Sequence, residues 1–428
     1  MSLTSKPERT WWSRLGRLGP TIIVAAVVLG PGSIVNASRV GCEFGYALLW
    51  VVPLAGLLMM GMTVAAMTIG VLDRQTPCQK IAVHFGRPAA WLVGLSLLVA
   101  ITLFQASNNN AMLMAWDGLM PESNVSVVSP WKAVLGLLLF NVLVIGILLA
   151  GKTGLYRRLE TGMTLLVGVM LVAFGASMWA ASPSLSGIAG GLVPQLPEVS
   201  GPTSNATISW LGIAALFATT FSVAGAFFQT YQVREKGWDA SELRTGVLDA
   251  VVGIGALAAM TMILFITSAA ALHGRVDVSE LTSATAVASQ MEPLFGKWAS
   301  IIFSVGVFAG AVSSFVVNAL IGGVVFVDAI GKPSEFDSAA VRRATVAVLL
   351  VGFAIAALAS LSGMNLVKFI VVAQSLTVLA FPILAIVLLW HLWSLRSHRI
   401  SKTLYVSVVA GTAVVFVLSF RTLWSLLH

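Results

Sequence analysis

Apolar residues along this chain come in blocks of roughly 20 or more, the length that crosses a bilayer as a helix, rather than in the period-two alternation of strands. The blocks lie near 19–41, 46–72, 88–116, 133–151, 158–180, 207–233, 245–272, 298–329, 344–362, 364–393 and 404–424, and they predict eleven membrane helices. Only a short turn separates the ninth from the tenth. The polar segments between blocks are too short to hold a second folded unit, so the 428 residues read as a single all-α membrane domain. Inside the first block the pattern is broken by Gly30-Pro31-Gly32-Ser33. Proline removes a backbone donor and crowds the preceding turn, and glycine weakens a helix, so the helix is expected to open there. Open backbone at bilayer depth must be satisfied by protein, water or a bound solute, which is how many transporters build a substrate site.

Composition and charge sharpen this picture. The chain is 58% hydrophobic and 10% charged, against roughly 25% charged residues in soluble domains. With the amino terminus inside, the inner loops carry 19 of the 25 basic residues, among them Arg14, Arg17, Arg74, Arg87, Arg157, Arg234, Arg342 and Arg396. The positive-inside bias thus puts the amino terminus in the cytoplasm and the carboxyl terminus outside, and it accounts for the net charge of +8. No block of five or more basic residues suggests a nucleic-acid partner. A cleaved signal peptide competes for the start, since Val35-Asn36-Ala37 resembles a cleavage site, but the membrane-span reading is preferred. Cys42 and Cys78 fall on opposite sides in this topology and read as packing residues. The segment Ser182 to Thr207 reads as a solvated connection.

A second, weaker break lies in the sixth block, over Thr219-Thr220-Phe221-Ser222-Val223-Ala224-Gly225, where hydroxyl, β-branched and glycine residues loosen the helix. If blocks one to five (about 19–180) and six to ten (about 207–393) are inverted repeats, with 404–424 an additional helix, the two breaks are equivalent and meet at the midplane.

The stretches Gly19-Pro20, Gly30-Pro31-Gly32-Ser33 and Glu43-Phe44-Gly45-Tyr46-Ala47-Leu48-Leu49-Trp50 resemble the opening of Nramp-type metal-ion transporters. Similar too are Tyr156-Arg157-Arg158-Leu159-Glu160, Gly191-Leu192-Val193-Pro194, Phe308-Ala309-Gly310-Ala311-Val312-Ser313-Ser314, and Gln374 with Phe381-Pro382. In the sixth block the resemblance is to a divergent Nramp-related branch. It implies a LeuT-like inverted repeat of five plus five helices, with helices one and six broken, alternating access, and coupling to an ion gradient. The family's metal ligands are missing. Its Asp-Pro-Gly-Asn reads Gly30-Pro31-Gly32-Ser33 here, and the place of its Met-Pro-His motif is taken by Ser222, Val223 and Ala224.

A dehydrated divalent ion needs oxygen or softer ligands with compensating charge, and neither break contains Asp, Glu or His. All five histidines lie in or near loops or at the terminus, so a buried imidazole ligand is not expected. The half-helix after Pro31 instead offers free amides and the positive end of a dipole, which favours a carboxylate or other small anion such as bicarbonate. Gly30, Pro31, Gly32, Ser33, Asn36, Asn108, Ser222, Val223, Ala224, Gly225 and Gln374 are therefore the candidate substrate-binding residues. Arg39 either attracts the anion or pairs with Glu43 at i,i+4. Asn108 either lines the path or makes an interhelical hydrogen bond, within a third block that also carries Gln105, Ser107, Asn109 and Asn110. Ser313 and Ser314 could serve a Na⁺ site or simply permit close packing. The second-block methionines read as packing, and Asp249 as a solvated helix-start residue.

The expectation is a secondary transporter of a small anion, with Na⁺ coupling or uncoupled transport favoured over H⁺ coupling because no titratable side chain falls near the midplane of the first, third or sixth block. Divalent metal uptake through an oxygen-only site, as in the family, is the alternative, and a sensor without transport is a third. No nucleophile–base pair suggests an enzyme, and no cofactor is called for.

Overall fold

The computed structural model describes residues 21, 30–119, 130–150, 172, 174–176, 178–179, 181–195, 206–278, 281, 296, 298–398 and 400–427. They form helices α1 (Pro31–Phe44), α2 (Val51–Leu72), α3 (Pro77–Phe85), α4 (Arg87–Leu119), α5 (Pro130–Ala150), α6 (Leu185–Gly191) and α7 (Ala206–Thr220). After these come α8 (Val223–Glu235), α9 (Leu243–Ala271), α10 (Trp298–Ala329), α11 (Ala339–Leu361), α12 (Leu366–Thr377), α13 (Phe381–Ser394) and α14 (Lys402–Leu427). Among the described residues, eight stretches are long and apolar enough to cross a membrane, and they match the second, third and sixth to eleventh predicted spans. The fourth is α5; most of the fifth lies outside the described residues. The predicted turn between spans nine and ten is Ser362 to Asn365. Gly363 adopts φ +69° there, and the Asn365 side chain caps α12 by accepting from Lys368 N.

The pairing of helices is that of an inverted repeat. α1, the second half of span one, packs on α9, while α8, the second half of span six, packs on α2. Each half-helix thus leans on the second span of the other repeat, as the LeuT-like architecture requires. α4 runs along α10 and also meets α11 and α12. Small residues allow these close approaches: Gly322 sits against Ile101, and Gly352 against the Gln105 side chain. Met59 and Met62 are fully buried, as packing residues, and both cysteines are buried free thiols.

One connection is more ordered than expected. Within Ser182 to Thr207, α6 docks on the turn between α1 and α2. Trp50 N donates to Gly191 O (2.9 Å) and Trp50 Nε1 to Gln195 O (3.0 Å), and a Cβ on Gly191 would collide with the Tyr46 backbone. Residues 182–195 thus form a docked cover over that turn, while most of them still face out, as a solvated connection would.

Short α3 is set by a capping box, in which Gln79 N donates to Thr76 Oγ1 and Thr76 N to Gln79 Oε1. Its Lys80 reaches back to Asp73 and to Ser394 Oγ. Burial alone would push the Asp73 carboxyl up, but the Lys80 ammonium and the Gln75 N–H bond outweigh it and hold the pKa below the ordinary carboxylate range. A depressed pKa adds stability above the unfolded value of about 3.9 that disappears as pH falls through the folded value. Asp73→Asn is therefore expected to flatten the acid limb of the Tm–pH curve, while a limb identical to the native one would count against the pair.

Candidate functional site

Both helix breaks are present, and they meet. Gly30 is extended (φ −72°, ψ 176°), and α1 starts on Pro31, whose missing N–H is harmless at the first position. Span six opens at Phe221-Ser222, between α7 and α8, with Ser222 extended and its Oγ accepting from Gly225 N at 3.2 Å. Ser33 Oγ reaches Thr219 O at 3.5 Å, joining one break to the other. Gly30, Pro31, Gly32, Ser33, Asn36, Ser222, Val223, Ala224 and Gly225 are all buried.

Gln374 enters from α12. The α1 backbone passes so close that a Cβ on Gly32 would run into the Gln374 carboxamide. Gln374 Nε2 donates to Ser107 Oγ of α4 (3.1 Å), which leaves Oε1 buried and without a hydrogen-bond partner. Asn36, two turns into α1 and fully buried, has neither side-chain atom partnered. Asn110 on α4 is in the same condition. Unsatisfied buried amides cost about 1–3 kcal/mol each, so they point to a ligand that satisfies them.

The free atoms differ from those expected. The helix-start amides are partly occupied: Ser33 N donates to Gly30 O (3.0 Å) and Gly225 N to Ser222 Oγ, while Ala226 N to Ser222 O (3.0 Å) is the first regular bond of α8. What Gln374 leaves open is an acceptor oxygen, which suits a cation, while Asn36 leaves both a donor and an acceptor. Among the described residues no group of three or more His, Cys, Asp or Glu could hold a metal, so any ion here would rest on neutral oxygens.

The remaining candidates divide. Asn108 is buried and its Nδ2 lies 3.5 Å from Gln105 Oε1 on its own helix, so the interhelical bonds of the polar cluster are made by its neighbours. Gln105 donates to Phe315 O of α10 (2.9 Å), and Asn109 Oδ1 accepts from Asn141 of α5 (2.7 Å). Arg39 is half-buried and feels the charge of Glu43. Ser314 is buried in α10; the side chain of Ser313 lies outside the described residues.

Three titratable groups are deeper than the sequence suggested. Asp249 is fully buried six residues into α9, where its Oδ2 accepts from Thr21 N (2.8 Å), and Gln229 of α8 donates to Thr21 Oγ1 (2.8 Å). It is no solvated helix-start residue, and it ties the beginning of span one to spans six and seven. His391 is buried in α13 with Nε2 unpartnered, because α3 brings Lys80 and His84 over the adjoining Trp390. Asp328, fully buried in α10, accepts from Thr76 Oγ1 (2.6 Å), Cys78 N (3.1 Å) and Tyr231 OH (2.7 Å). A paired acid is recognised in sequence only when its partners are near in the chain, and those of Asp249 and Asp328 are not.

A family model described as natural resistance-associated macrophage protein-like matches residues 21–425. The chain is 25% identical over 412 residues to a protein of Verminephrobacter eiseniae named divalent metal cation transporter MntH, covering 94% of this chain and 87% of that one. It is 27% identical over 318 residues to a Pectobacterium carotovorum protein of the same name, covering 73% and 72%. In structure it is similar to a variant of the Eremococcus coleocola manganese transporter, with TM-score 0.71 at 17% identity over 99% and 96% of the two chains. MhsT in complex with L-phenylalanine is similar with TM-score 0.63 at 19% identity over 96% and 98%.

Proposed function

The chain belongs to the natural resistance-associated macrophage protein-like (Nramp) family and is a multi-pass secondary transporter of that type; we propose that its cargo is a divalent metal cation held by neutral oxygens where the two helix breaks meet. The observation that carries this reading is the buried, unpartnered Oε1 of Gln374 beside Gly32, where the two breaks meet. The small anion expected from the sequence finds no support in relatives named for divalent metal cations.

Asn36 Oδ1, Gln374 Oε1, the Ser33 hydroxyl and the carbonyl of Thr219 are the ligands we assign. Serine, amide and backbone oxygens are hard donors that suit Mg²⁺ or Mn²⁺ better than soft ions. Without a carboxylate they cannot neutralise a stripped divalent charge, so the ion keeps part of its water shell and binds weakly. Arg39 then has no anion to attract and serves the Glu43 pairing. The positive-inside bias supports a cytoplasmic amino terminus, and the packing of half-helices supports repeats over about 19–180 and 207–393.

The test is flux in liposomes containing the purified chain, with Mn²⁺, Mg²⁺, bicarbonate and small carboxylates offered in turn. Saturable divalent entry is expected, lost in Asn36→Ala, and imposing Na⁺ and H⁺ gradients separately identifies the coupling ion. Background divalent flux together with saturable anion uptake would overturn the proposal and restore the anion reading.

A further inference from the structure

Away from the helix breaks, α4, α10 and α11 do not close on one another along their membrane-facing edge. They leave a crevice of about 390 Å³ walled by Leu98, Val99, Phe326, Ala347, Val348 and Val351. Val99 and Val351 are 59% and 50% exposed, so the crevice is open on the outer side of the bundle. Its one hydroxyl, Thr102, is already satisfied by the Leu98 carbonyl at 2.7 Å. A space of this kind offers nothing to a polar solute and fits a hydrocarbon chain.

Chemistry at one end of the same three helices narrows the occupant. Arg342 and Arg343 are exposed and directly precede Ala344, which also lines the crevice. Lys332 is exposed three residues past the end of α10, and Arg87, the first residue of α4, lays its guanidinium against Gly331. The acids of the α10–α11 loop, Glu335 and Asp337, share their field with Glu235 of α8, a helix that contributes nothing to the crevice. Phe326 is three residues from the end of α10, and Ala347 lies one turn along α11 from Arg343, about 6 Å away on the same side of the helix. A phosphate held on the collar would therefore deliver its first methylenes to the mouth of the crevice.

We propose that this crevice and its basic collar bind one anionic phospholipid, with the phosphodiester on Arg343 and the collar beside it and an acyl chain between α4, α10 and α11. The site is separate from the helix breaks and stands whatever the cargo is. Basic residues between membrane helices at the interface attract anionic headgroups, whereas a bare apolar crevice takes any acyl chain.

The experiment is native mass spectrometry of the delipidated full chain in detergent, titrated with phosphatidylglycerol and with phosphatidylcholine of the same acyl composition. Phosphatidylglycerol is expected to bind about tenfold more tightly, a preference that two arginines near the surface can supply. Arg342→Gln with Arg343→Gln, exposed positions whose change should leave Tm in place, is expected to erase the preference. Ala347→Phe fills the crevice and is expected to weaken both lipids. Equal retention of the two lipids by the native chain, survival of the preference in the double arginine variant, or displacement of the lipid by inorganic phosphate alone would each overturn the proposal.

Discussion

Gly32→Ala is expected to reduce ion uptake at least about tenfold while the protein still folds. A methyl at this position would occupy the space of the Gln374 carboxamide, and the carboxamide is not free to step aside. Its Nε2 is held by Ser107 Oγ at 3.1 Å. Inserting a methyl into a packed interior costs about 1–3 kcal/mol, too little to unfold most proteins. The same displacement moves Oε1 off the site, and an ångström of misplacement is enough to cost about a hundredfold where geometry is demanding. A double variant separates the two effects. Gly32→Ala with Gln374→Ala restores room and is expected to recover the native Tm, but not uptake, because the oxygen ligand has gone. Native uptake in Gly32→Ala would remove Gln374 from the site.

That contact could not be read from the sequence, although both residues could. Pro31 fixes φ and lacks a donor, so the break in span one is local chemistry and legible in four letters. The spans themselves are legible for a similar reason, since bilayer thickness sets their length whatever packs around them. Depth inside the bundle is a different matter. Asp249 lies near the start of the seventh block, but a 3₁₀ turn at Ala240–Glu242 leads into α9 and leaves the aspartate about 9 Å inside, where Thr21 meets it. His391 is close to a loop in sequence, yet α3 folds across that end of α13 and buries it. The proposal of a cation in place of the expected anion turns on a subtler point. The dipole argument assumes open amides at the start of a half-helix, and whether they are open depends on capping: Ser222 turns its hydroxyl back on Gly225, and Ser33 N turns back on Gly30.

Asp328→Ala is expected to give the largest loss of stability, about 3 kcal/mol or more, because three buried donors are left unsatisfied at about 1–3 kcal/mol each. Its carboxylate gathers a hydroxyl from the α2–α3 connection, a backbone amide from α3 and a phenol from α8, all at 2.6–3.1 Å. Without it three buried donors lose their acceptor together. The Cys78 thiol beside them cannot take over as an anionic acceptor, because burial, the largest cause of its raised pKa and one that remains without Asp328, keeps it protonated. Tyr231→Phe removes one donor only and is expected to cost about 1.5–3 kcal/mol, the worth of a hydrogen bond to a charged group. Because both changes act on one network, the double variant should lose less than the sum. Thermal unfolding in a single detergent measures the series, and amide exchange locates it. Faster exchange should be concentrated in α3, a nine-residue helix too short to persist without tertiary support. Since Tyr231 belongs to the same half-helix as the Ser222 break, loosening α3 also frees α8 at the end remote from the site. Asp328→Ala should then lower uptake without changing the apparent affinity for the ion. A Tm equal to the native value would show that water or another side chain satisfies these donors, and would dismiss Asp328 as the tie between α3, α8 and α10.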